Sequence, residues 1–340
     1  AAGLSLPGGG RRRYTSPLRL RRPHSLALPM RTLVCGSLAY DTIMVFPDQF
    51  SRHILPEQAH VLSVSFTIGE MRREWGGCAG NIAYNLKHIG GEPVVMATIG
   101  DDGSDYRDRL DAFGIGVDGV RHVPGAYTAQ AFITTDLDDN QITAFHPGAM
   151  NFSHLNHVAD AQGLTIGIVA PDGREGMMQH AQEFHDAGVP FIFDPGQGLP
   201  LFSGGELLNF LQLADYCCVN DYEARLLSEK TGKPIEELAG LVDALVITLG
   251  ANGAEIHAGG QRLDIPSVKP DDLIDPTGCG DAYRAGLLYG IAGGMGWEKA
   301  GRLASLMGSI KIAHRGGQNH KAAREQIAER YRTAFGEMPW

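Results

Sequence analysis

The feature that most constrains the fold of this chain is an alternation, from Met30 onward, of short apolar runs with longer amphipathic segments. The apolar runs lie at residues 32–38, 93–99, 164–170, 190–194, 216–220 and 244–248. Segments with apolar side chains at helical spacing lie at residues 78–89, 104–113, 176–187, 206–214, 221–231, 278–291, 297–313 and 319–335. Apolar strands separated by amphipathic helices predict βαβ units, and therefore an α/β fold with a mostly parallel central sheet flanked by helices. Ligands bind such sheets at the carboxyl ends of the strands.

Two stretches of the chain depart from this alternation. Residues 44–75 and 120–145 show the period of two that is typical of half-buried strands, as in 128–135 and 141–145. We interpret them as a small β-sheet, formed by about residues 43–75 and 120–146, that lies as a lid over the main sheet. Residues 30–340 are predicted to form one domain that includes this lid.

The first 29 residues have a different composition from the rest. They contain six arginines and no acidic residue, and they show no apolar periodicity. We interpret residues 1–29 as a disordered, Arg-rich extension outside the fold. An organellar transit peptide, which is also rich in arginine and poor in acidic residues, is the alternative interpretation.

The overall composition restricts the partners of the chain. A formal net charge of -10 argues against nucleic acid, because phosphate backbones are bound by clustered Lys and Arg. No apolar run reaches the roughly 18 residues of a membrane-spanning helix, so no membrane partner is expected. The five cysteines are an odd number without CxxC spacing, which predicts reduced thiols and a cytoplasmic location.

The strongest local signal is the segment 275–282, with the sequence DPTGCGDA. Its small residues open a predicted helix, so the backbone N–H groups of Gly278, Cys279 and Gly280 can approach a phosphate at the positive end of the helix dipole. Asp281 lies one turn into the helix, where its carboxylate can accept a proton from a substrate hydroxyl. The alternative is a tight turn capped by an aspartate.

A second glycine-rich segment lies at residues 76–83, with the sequence GGCAGNIA. Gly76 and Gly77 permit close approach of the backbone, and Asn81 offers both a donor and an acceptor to a polyol. The alternative is a glycine-rich turn between a strand and a helix. The pattern matches neither GxGxxG nor GxxxxGK[ST], so it indicates neither a Rossmann nor a P-loop site.

Together, the segments 76–100 and 275–288 resemble the two signature regions of the phosphofructokinase-B, or ribokinase-like, carbohydrate kinase family. The resemblance extends over about residues 31–332. It implies a ribokinase-like fold and a kinase that moves the γ-phosphate of ATP to a hydroxymethyl group, with Mg²⁺ bridging the ATP phosphates. In this resemblance Asp281 is the catalytic base, and Gly278, Cys279 and Gly280 form the anion hole. Cys279 stands where the family usually has an alanine.

Two further segments resemble motifs of this family on the ATP side. The sequence NDYE, from Asn220 to Glu223, is similar to the NxxE motif, which implies that Glu223 organises Mg²⁺ and phosphate indirectly. The sequence TLGANG resembles the TxGxxG loop, which implies that Thr248, Gly250 and Gly253 border ATP. Taken alone, the first segment also fits an N-capped helix start with Asn220 as the cap, and the second a glycine turn between strands.

On the acceptor side, the resemblance implies that Ser37 and Asp41, at the end of the first strand, bind sugar hydroxyls together with Gly76, Gly77 and Asn81. Asp41 alone would also fit a surface turn. Some members of the family bind K⁺, and the corresponding site would use Asp275 and residues 311–320. The match over 311–320 is loose, so K⁺ stays an open alternative.

The segments 36–43, 71–86 and 171–177 resemble the adenosine kinase and nucleoside kinase members of the family. A nucleoside needs an apolar slot for its base, and Phe132 and Phe145 of the lid are candidates for stacking. Both could instead pack within the lid. Adenosine is therefore the expected acceptor, and ribose or another sugar is the alternative. A nucleoside- or nucleotide-binding sensor without catalysis also stays open, as does a homodimer formed by pairing of exposed lid strands.

Overall fold

The computed structural model describes residues 30–54, 64–138 and 140–340. The prediction for residues 1–29 lies outside the described residues. The strands are Arg31–Cys35 (β1), Ala39–Val45 (β2), Glu70–Gly76 (β3), Glu92–Ile99 (β4), Gly116–His122 (β5), Ala129–Thr135 (β6), Gln141–His146 (β7), Ile166–Val169 (β8), Phe191–Phe193 (β9), Tyr216–Asn220 (β10), Ala244–Thr248 (β11), Ala254–Ala258 (β12) and Gln261–Ile265 (β13). The α-helices are Cys78–His88 (α1), Ser104–Ala112 (α2), Arg174–Ala187 (α3), Gly204–Leu213 (α4), Asp221–Thr231 (α5), Ile235–Ala239 (α6), Cys279–Ala292 (α7), Trp297–Ile312 (α8) and Arg324–Phe335 (α9).

The central sheet has nine strands among the described residues, in the order β13-β12-β11-β10-β9-β8-β1-β4-β5. The strands from β11 to β5 pair in parallel, and only β12 and β13 pair antiparallel at one edge. The predicted mostly parallel α/β sheet is therefore confirmed. Its strands are apolar runs such as IGIV in β8, because both faces of the sheet are buried.

Helices cover both faces of this sheet. Alternate residues of a strand face opposite sides, so that Val34 packs in one core and Leu33 in the other. The core on the Val34 side contains residues of α1, α2, α7, α8 and α9. The core on the Leu33 side contains residues of α3, α4, α5 and α6. Within the described ranges, no helix is long and apolar enough to cross a membrane.

A second, four-stranded sheet in the described structure has the order β3-β2-β6-β7. It contains the strands expected near 128–135 and 141–145, but its bounds differ from the predicted lid. It begins at Ala39, because β2 continues almost directly from β1, whereas β5 (Gly116–His122) pairs with β4 and belongs to the central sheet. Residues 55–63, within the predicted lid, lie outside the described residues.

Candidate active site

A cleft of about 1080 Å³ lies at the carboxyl ends of the parallel strands, beside the small sheet. It brings together most of the residues predicted from the sequence. These are Ser37, Asp41, Gly77, Asn81, Phe145, Asn220, Glu223, Thr248, Gly250, Gly278, Gly280 and Asp281. Segments as far apart as residues 37 and 281 therefore meet in one cavity because their strands and helices end at the same edge of the sheet.

A second cavity of about 590 Å³ adjoins the cleft and shares Thr248, Gly250 and Gly280 with it. Gly253 and Cys279 line this second cavity only. Tyr283 and Ser309 also line it, and the hydroxyl oxygens of both side chains are buried without a hydrogen-bond partner in the described structure.

Asp281 lies in the first turn of α7, which begins after Gly278. Gly278 has a φ of 75°, a left-handed conformation that favours glycine. The Asn81 side chain donates from Nδ2 to Asp281 Oδ2 over 2.9 Å. Burial raises the pKa of Asp281 to about 6, although the bond from Asn81 and the charge of Arg284 act in the opposite direction. Asp281 is therefore a carboxylate near neutral pH whose proton affinity is higher than usual, as a general base requires.

A chain of hydrogen bonds holds Asn81 in this orientation. Gln318 Nε2 donates to Asn81 Oδ1 over 3.1 Å and also to the Tyr106 hydroxyl. The Tyr106 hydroxyl in turn donates to the Gly76 carbonyl over 2.6 Å. Because the amide oxygen of Asn81 accepts from Gln318, its NH₂ group must face Asp281. Asn81, predicted as a substrate-binding residue, thus also fixes the position of the base.

The predicted anion hole is only partly open in this structure. The backbone N–H of Cys279 donates to the Pro276 carbonyl over 3.1 Å and belongs to the turn before α7. The N–H groups of Gly278 and Gly280 are the remaining candidates for binding a phosphate at this helix start. Cys279 itself contributes to the wall of the second cavity.

Asp41 lies in β2, opposite Glu74 of β3, with its carboxylate at the cleft. Burial raises the pKa of Asp41 to about 6, and the charges of Glu74 and Asp275 add to that shift. A Cβ atom at Gly76 would overlap the Asp41 carboxylate, and one at Gly77 would come within 2.5 Å of the Ser37 carbonyl oxygen. These two glycines therefore allow the loop that carries Ser37 and the strand that carries Asp41 to approach α1 closely. Gly76 does not itself line the cleft.

A buried ion pair lies directly behind the first turn of α7. Arg284 binds both carboxylate oxygens of Asp194. Its Nη2 donates to Oδ1 over 2.8 Å, and its Nε donates to Oδ2. Arg284 also donates from Nη1 to the Gly280 carbonyl over 3.2 Å. Both side chains are buried and line the cleft. The pair therefore connects the end of β9 to the helix start that carries Asp281.

Asn220 and Glu223 form a capping box at the start of α5. Asn220 Oδ1 accepts from the Glu223 N–H over 2.8 Å, and Glu223 Oε2 accepts from the Asn220 N–H over 2.7 Å. The alternative interpretation of this segment, an N-capped helix start with Asn220 as the cap, is confirmed, and the role of both residues at ATP stays a prediction. Burial raises the pKa of Glu223, whereas Arg284, 3.9 Å away, lowers it.

Glu223 is the residue predicted to organise Mg²⁺. Within residues 30–54, 64–138 and 140–340, no group of three or more His, Cys, Asp or Glu side chains is placed to hold a metal ion. Mg²⁺ is usually bound by one or two carboxylates together with phosphates and water. Glu223 lines the cleft, and one carboxylate of this kind fits a metal ion that arrives with a nucleotide.

The small sheet places the two predicted stacking residues on opposite faces. Ala131 and Ile133 of β6 line the cleft, so Phe132 between them points away from it. Phe145 of β7 pairs with Ala131 and does line the cleft. Phe132 is therefore not part of the slot predicted for a base, whereas Phe145 and Ile133 both face it.

Asp275 does not line either cavity but anchors the loop before α7. Its Oδ1 accepts from the Thr277 N–H and its Oδ2 from the Gly316 N–H, both over 2.8 Å. Burial alone would raise the pKa of Asp275, but these two hydrogen bonds hold it below its usual value. Its carbonyl oxygen accepts from Lys311 Nζ over 2.7 Å.

Sequence reasoning did not identify three side chains that support this site, namely Tyr106, Asp194 and Arg284, and it included Lys311 and Gln318 only within the range 311–320 of a possible cation site. A signal existed for two of them. Arg284 is a charged residue in a helix of small and apolar residues, and Asp194 ends an apolar strand. Tyr106 and Gln318 carry no comparable signal, because only the fold brings them together across 212 residues.

The two raised carboxyl pKa values predict how activity depends on pH. Asp281 is active as a carboxylate, so kcat/KM should fall about tenfold per pH unit once the pH drops below about 6. The charge of Asp41 raises the pKa of Asp281, so the Asp41→Asn variant should show this fall in kcat/KM at lower pH. The measurement is kcat/KM between about pH 5 and pH 8, and a flat profile would contradict the role of Asp281 as a base.

The chain is similar to known proteins in both sequence and structure. A model of the pfkB family of carbohydrate kinases matches residues 39–324. The chain is 30% identical over 271 residues to a nucleoside kinase of Methanocaldococcus jannaschii, and the aligned region covers 79% of this chain and 89% of that protein. A crystal structure of a nucleoside kinase from that organism, described as an archaeal member of the ribokinase family, superposes with a TM-score of 0.82 at 27% identity and covers 89% of this chain and 98% of that one.

A second similar protein is the nucleoside kinase of Burkholderia thailandensis. Its structure in complex with inosine superposes with a TM-score of 0.83 at 54% identity, and covers 90% of this chain and 99% of that one. Its complex with ADP-inosine gives a TM-score of 0.81 at 55% identity, over 91% of this chain and 97% of that one. The expected ribokinase-like fold, with its small second sheet, is confirmed by these superpositions.

Proposed function

Because the chain belongs to the pfkB family of carbohydrate kinases, we propose that it transfers the γ-phosphate of ATP to the 5′-hydroxyl of a nucleoside. The observation that carries this proposal is the contact between Asn81 and Asp281, which holds a carboxylate of raised pKa in the cleft, next to Gly280, a residue that lines both cavities. Similarity to nucleoside kinases, one of them seen with inosine and with ADP-inosine, supports the choice of nucleoside and nucleotide.

In this mechanism each cavity holds one substrate. ATP lies in the cavity bordered by Thr248, Gly250 and Gly253, and the nucleoside lies in the cleft. Asp41 accepts hydrogen bonds from ribose hydroxyls, and Asp281 takes the proton of the 5′-hydroxyl. The freed oxygen attacks the γ-phosphorus, the bond to the β-phosphate oxygen breaks, and ADP leaves. Phosphoryl transfer of this kind is driven mainly by positioning and electrostatic stabilisation.

The start of α7 supplies electrostatic stabilisation for the phosphate that is transferred. The N–H groups of Gly278 and Gly280 and the positive end of the helix dipole face the position where charge develops on the phosphate. Mg²⁺, when bound, neutralises the charge of the ATP phosphates. Glu223 would hold it through water, because both of its described contacts use Oε2 and leave Oε1 for a metal-bound water. Closure of the small sheet over the cleft would exclude water and limit hydrolysis of ATP.

Adenosine is the acceptor that the sequence favours, and inosine is the ligand seen in the similar Burkholderia protein. The test is ADP release with Mg²⁺ and ATP against adenosine, inosine, guanosine, cytidine, ribose and fructose. Turnover led by a purine nucleoside supports the proposal. Turnover on free sugars alone would replace it with the sugar-kinase alternative, and binding of nucleosides without any turnover would replace it with the sensor.

The two phenylalanines of the small sheet provide a matched pair of variants. Phe145→Ala should raise KM for nucleosides about tenfold, because loss of one aromatic stack and its buried area costs roughly 1–2 kcal/mol. Phe132→Ala should leave KM unchanged, since this side chain points away from the cleft. The measurement is KM for adenosine and inosine in both variants. Equal effects of the two substitutions would contradict the assignment of the base to this face.

A further inference from the structure

Lys311 lies in the last turn of α8, and its side chain is fully buried. Its Nζ donates to the Asp275 carbonyl over 2.7 Å and to the His314 carbonyl over 3.0 Å. Burial of an ammonium group costs several kcal/mol unless it is paired or hydrogen-bonded. Two converging carbonyl oxygens at the negative end of a helix are a suitable environment for a cation.

The two carbonyls belong to the segments that fix the start of α7. The backbone N–H groups of Ile274 and Asp275 both donate to the Ile312 carbonyl, at 3.0 and 3.1 Å. Asp275 Oδ2 accepts from Gly316 on the other side. The ammonium therefore ties the loop before α7 to the segment after α8. Displacement of this loop would move Gly278, Gly280 and Asp281 together.

A monovalent metal ion does not fit beside this ammonium. The carbonyl oxygens that would coordinate such an ion near Asp275 already accept hydrogen bonds from Lys311, and a second cation would lie next to the first charge. We propose that Lys311 is a positioning residue whose ammonium takes the place of a bound monovalent cation, so that turnover requires neither K⁺ nor Na⁺. This inference rests on the proposed kinase function.

The first test uses the wild-type protein and compares choline chloride with KCl and NaCl. At about 100 mM of each salt, and therefore at constant ionic strength, nucleoside turnover should change by less than about twofold. The ATP, Mg²⁺ and buffer salts must contain no alkali cation. Stimulation of more than about threefold by K⁺ or Na⁺ would overturn the proposal but leave the kinase assignment intact. Absence of turnover in every salt would count against the proposed function itself.

Two substitutions separate an electrostatic role from simple packing. Lys311→Ala leaves two carbonyls facing a space that an ion can enter, so turnover in choline should fall about 10²-fold and recover at least tenfold in KCl or NH₄Cl. Lys311→Met fills that space with an apolar chain. Turnover of this variant should therefore fall equally and should not recover in KCl or NH₄Cl. Lys87→Ala is the control, because Lys87 Nζ also binds a carbonyl, of Gly114, but is exposed.

Thermal unfolding gives a readout that does not depend on turnover. The melting temperature of Lys311→Ala should rise when K⁺ replaces choline, and those of Lys311→Met and wild type should not. A folded Lys311→Ala protein that no cation stabilises or reactivates would show that the lysine is only structural, and would overturn the proposal. If neither variant folds, the salt titration of the wild type decides.

Discussion

Asp281→Asn should reduce nucleoside phosphorylation by about 10²- to 10⁴-fold and leave nucleoside affinity within a few-fold of wild type. The substitution removes the proton acceptor but keeps the size of the side chain. The amide oxygen of the new residue can still accept from Asn81, which now donates to Asp281 Oδ2. The start of α7 and the walls of the cleft should therefore be unchanged. The measurements are ADP release under saturating ATP and calorimetric titration with adenosine and inosine.

The control for this variant is Asp108→Asn, an exposed aspartate of α2. It removes the same charge from an exposed position that lines neither cavity and should leave turnover unchanged. If Asp281→Asn retained more than about a tenth of the wild-type rate, the loss would lie below the range for a general base, and another group would have to take the proton. Weaker nucleoside binding with unchanged turnover would instead make Asp281 a substrate-binding residue.

Much of the central sheet could be predicted from local sequence. The runs at 216–220 and 244–248 coincide with β10 and β11, because both are short, apolar and preceded by an aspartate. Segments that depend on distant contacts were less predictable. The last helix begins at Arg324 rather than near 319, because Gln318 and His320 are buried through bonds to residues of α1 and α2. The β12–β13 hairpin was not among the predicted strands.

The site was predictable where it consists of contiguous motifs. The glycine turn and Asp281 form one such segment, and the capping box of Asn220 and Glu223 forms another. The faces of the small sheet were not predictable, because they depend on strand register. Phe132 pairs with Ala144 and Phe145 with Ala131, and a shift of one residue would exchange the faces of these side chains.

Arg284→Met should lower the free energy of unfolding by about 3–5 kcal/mol, because it leaves the Asp194 carboxylate buried without its partner. In the wild type, burial alone would lower the pKa of Arg284, but Asp194 raises it well above the usual value. Arg284 therefore stays charged inside the protein. Turnover should fall as well, since Arg284 also binds the Gly280 carbonyl at the start of α7. Chemical denaturation and ADP release measure the two effects.

A double variant distinguishes an unpaired charge from a loss of packing. Replacing both partners, as Arg284→Met with Asp194→Leu, should recover most of the lost stability, because replacing a buried pair with apolar side chains is often nearly neutral. Arg225→Ala is the control: its partner Asp221 is 3.7 Å away and both are exposed, so the change should stay within about 0.5 kcal/mol. Equal destabilisation of the single and double variants would mean that Arg284 acts through packing and its carbonyl bonds rather than through Asp194. Recovery of stability without recovery of turnover would separate the two roles of Arg284, because only its bond to Gly280 reaches the helix start that carries the base.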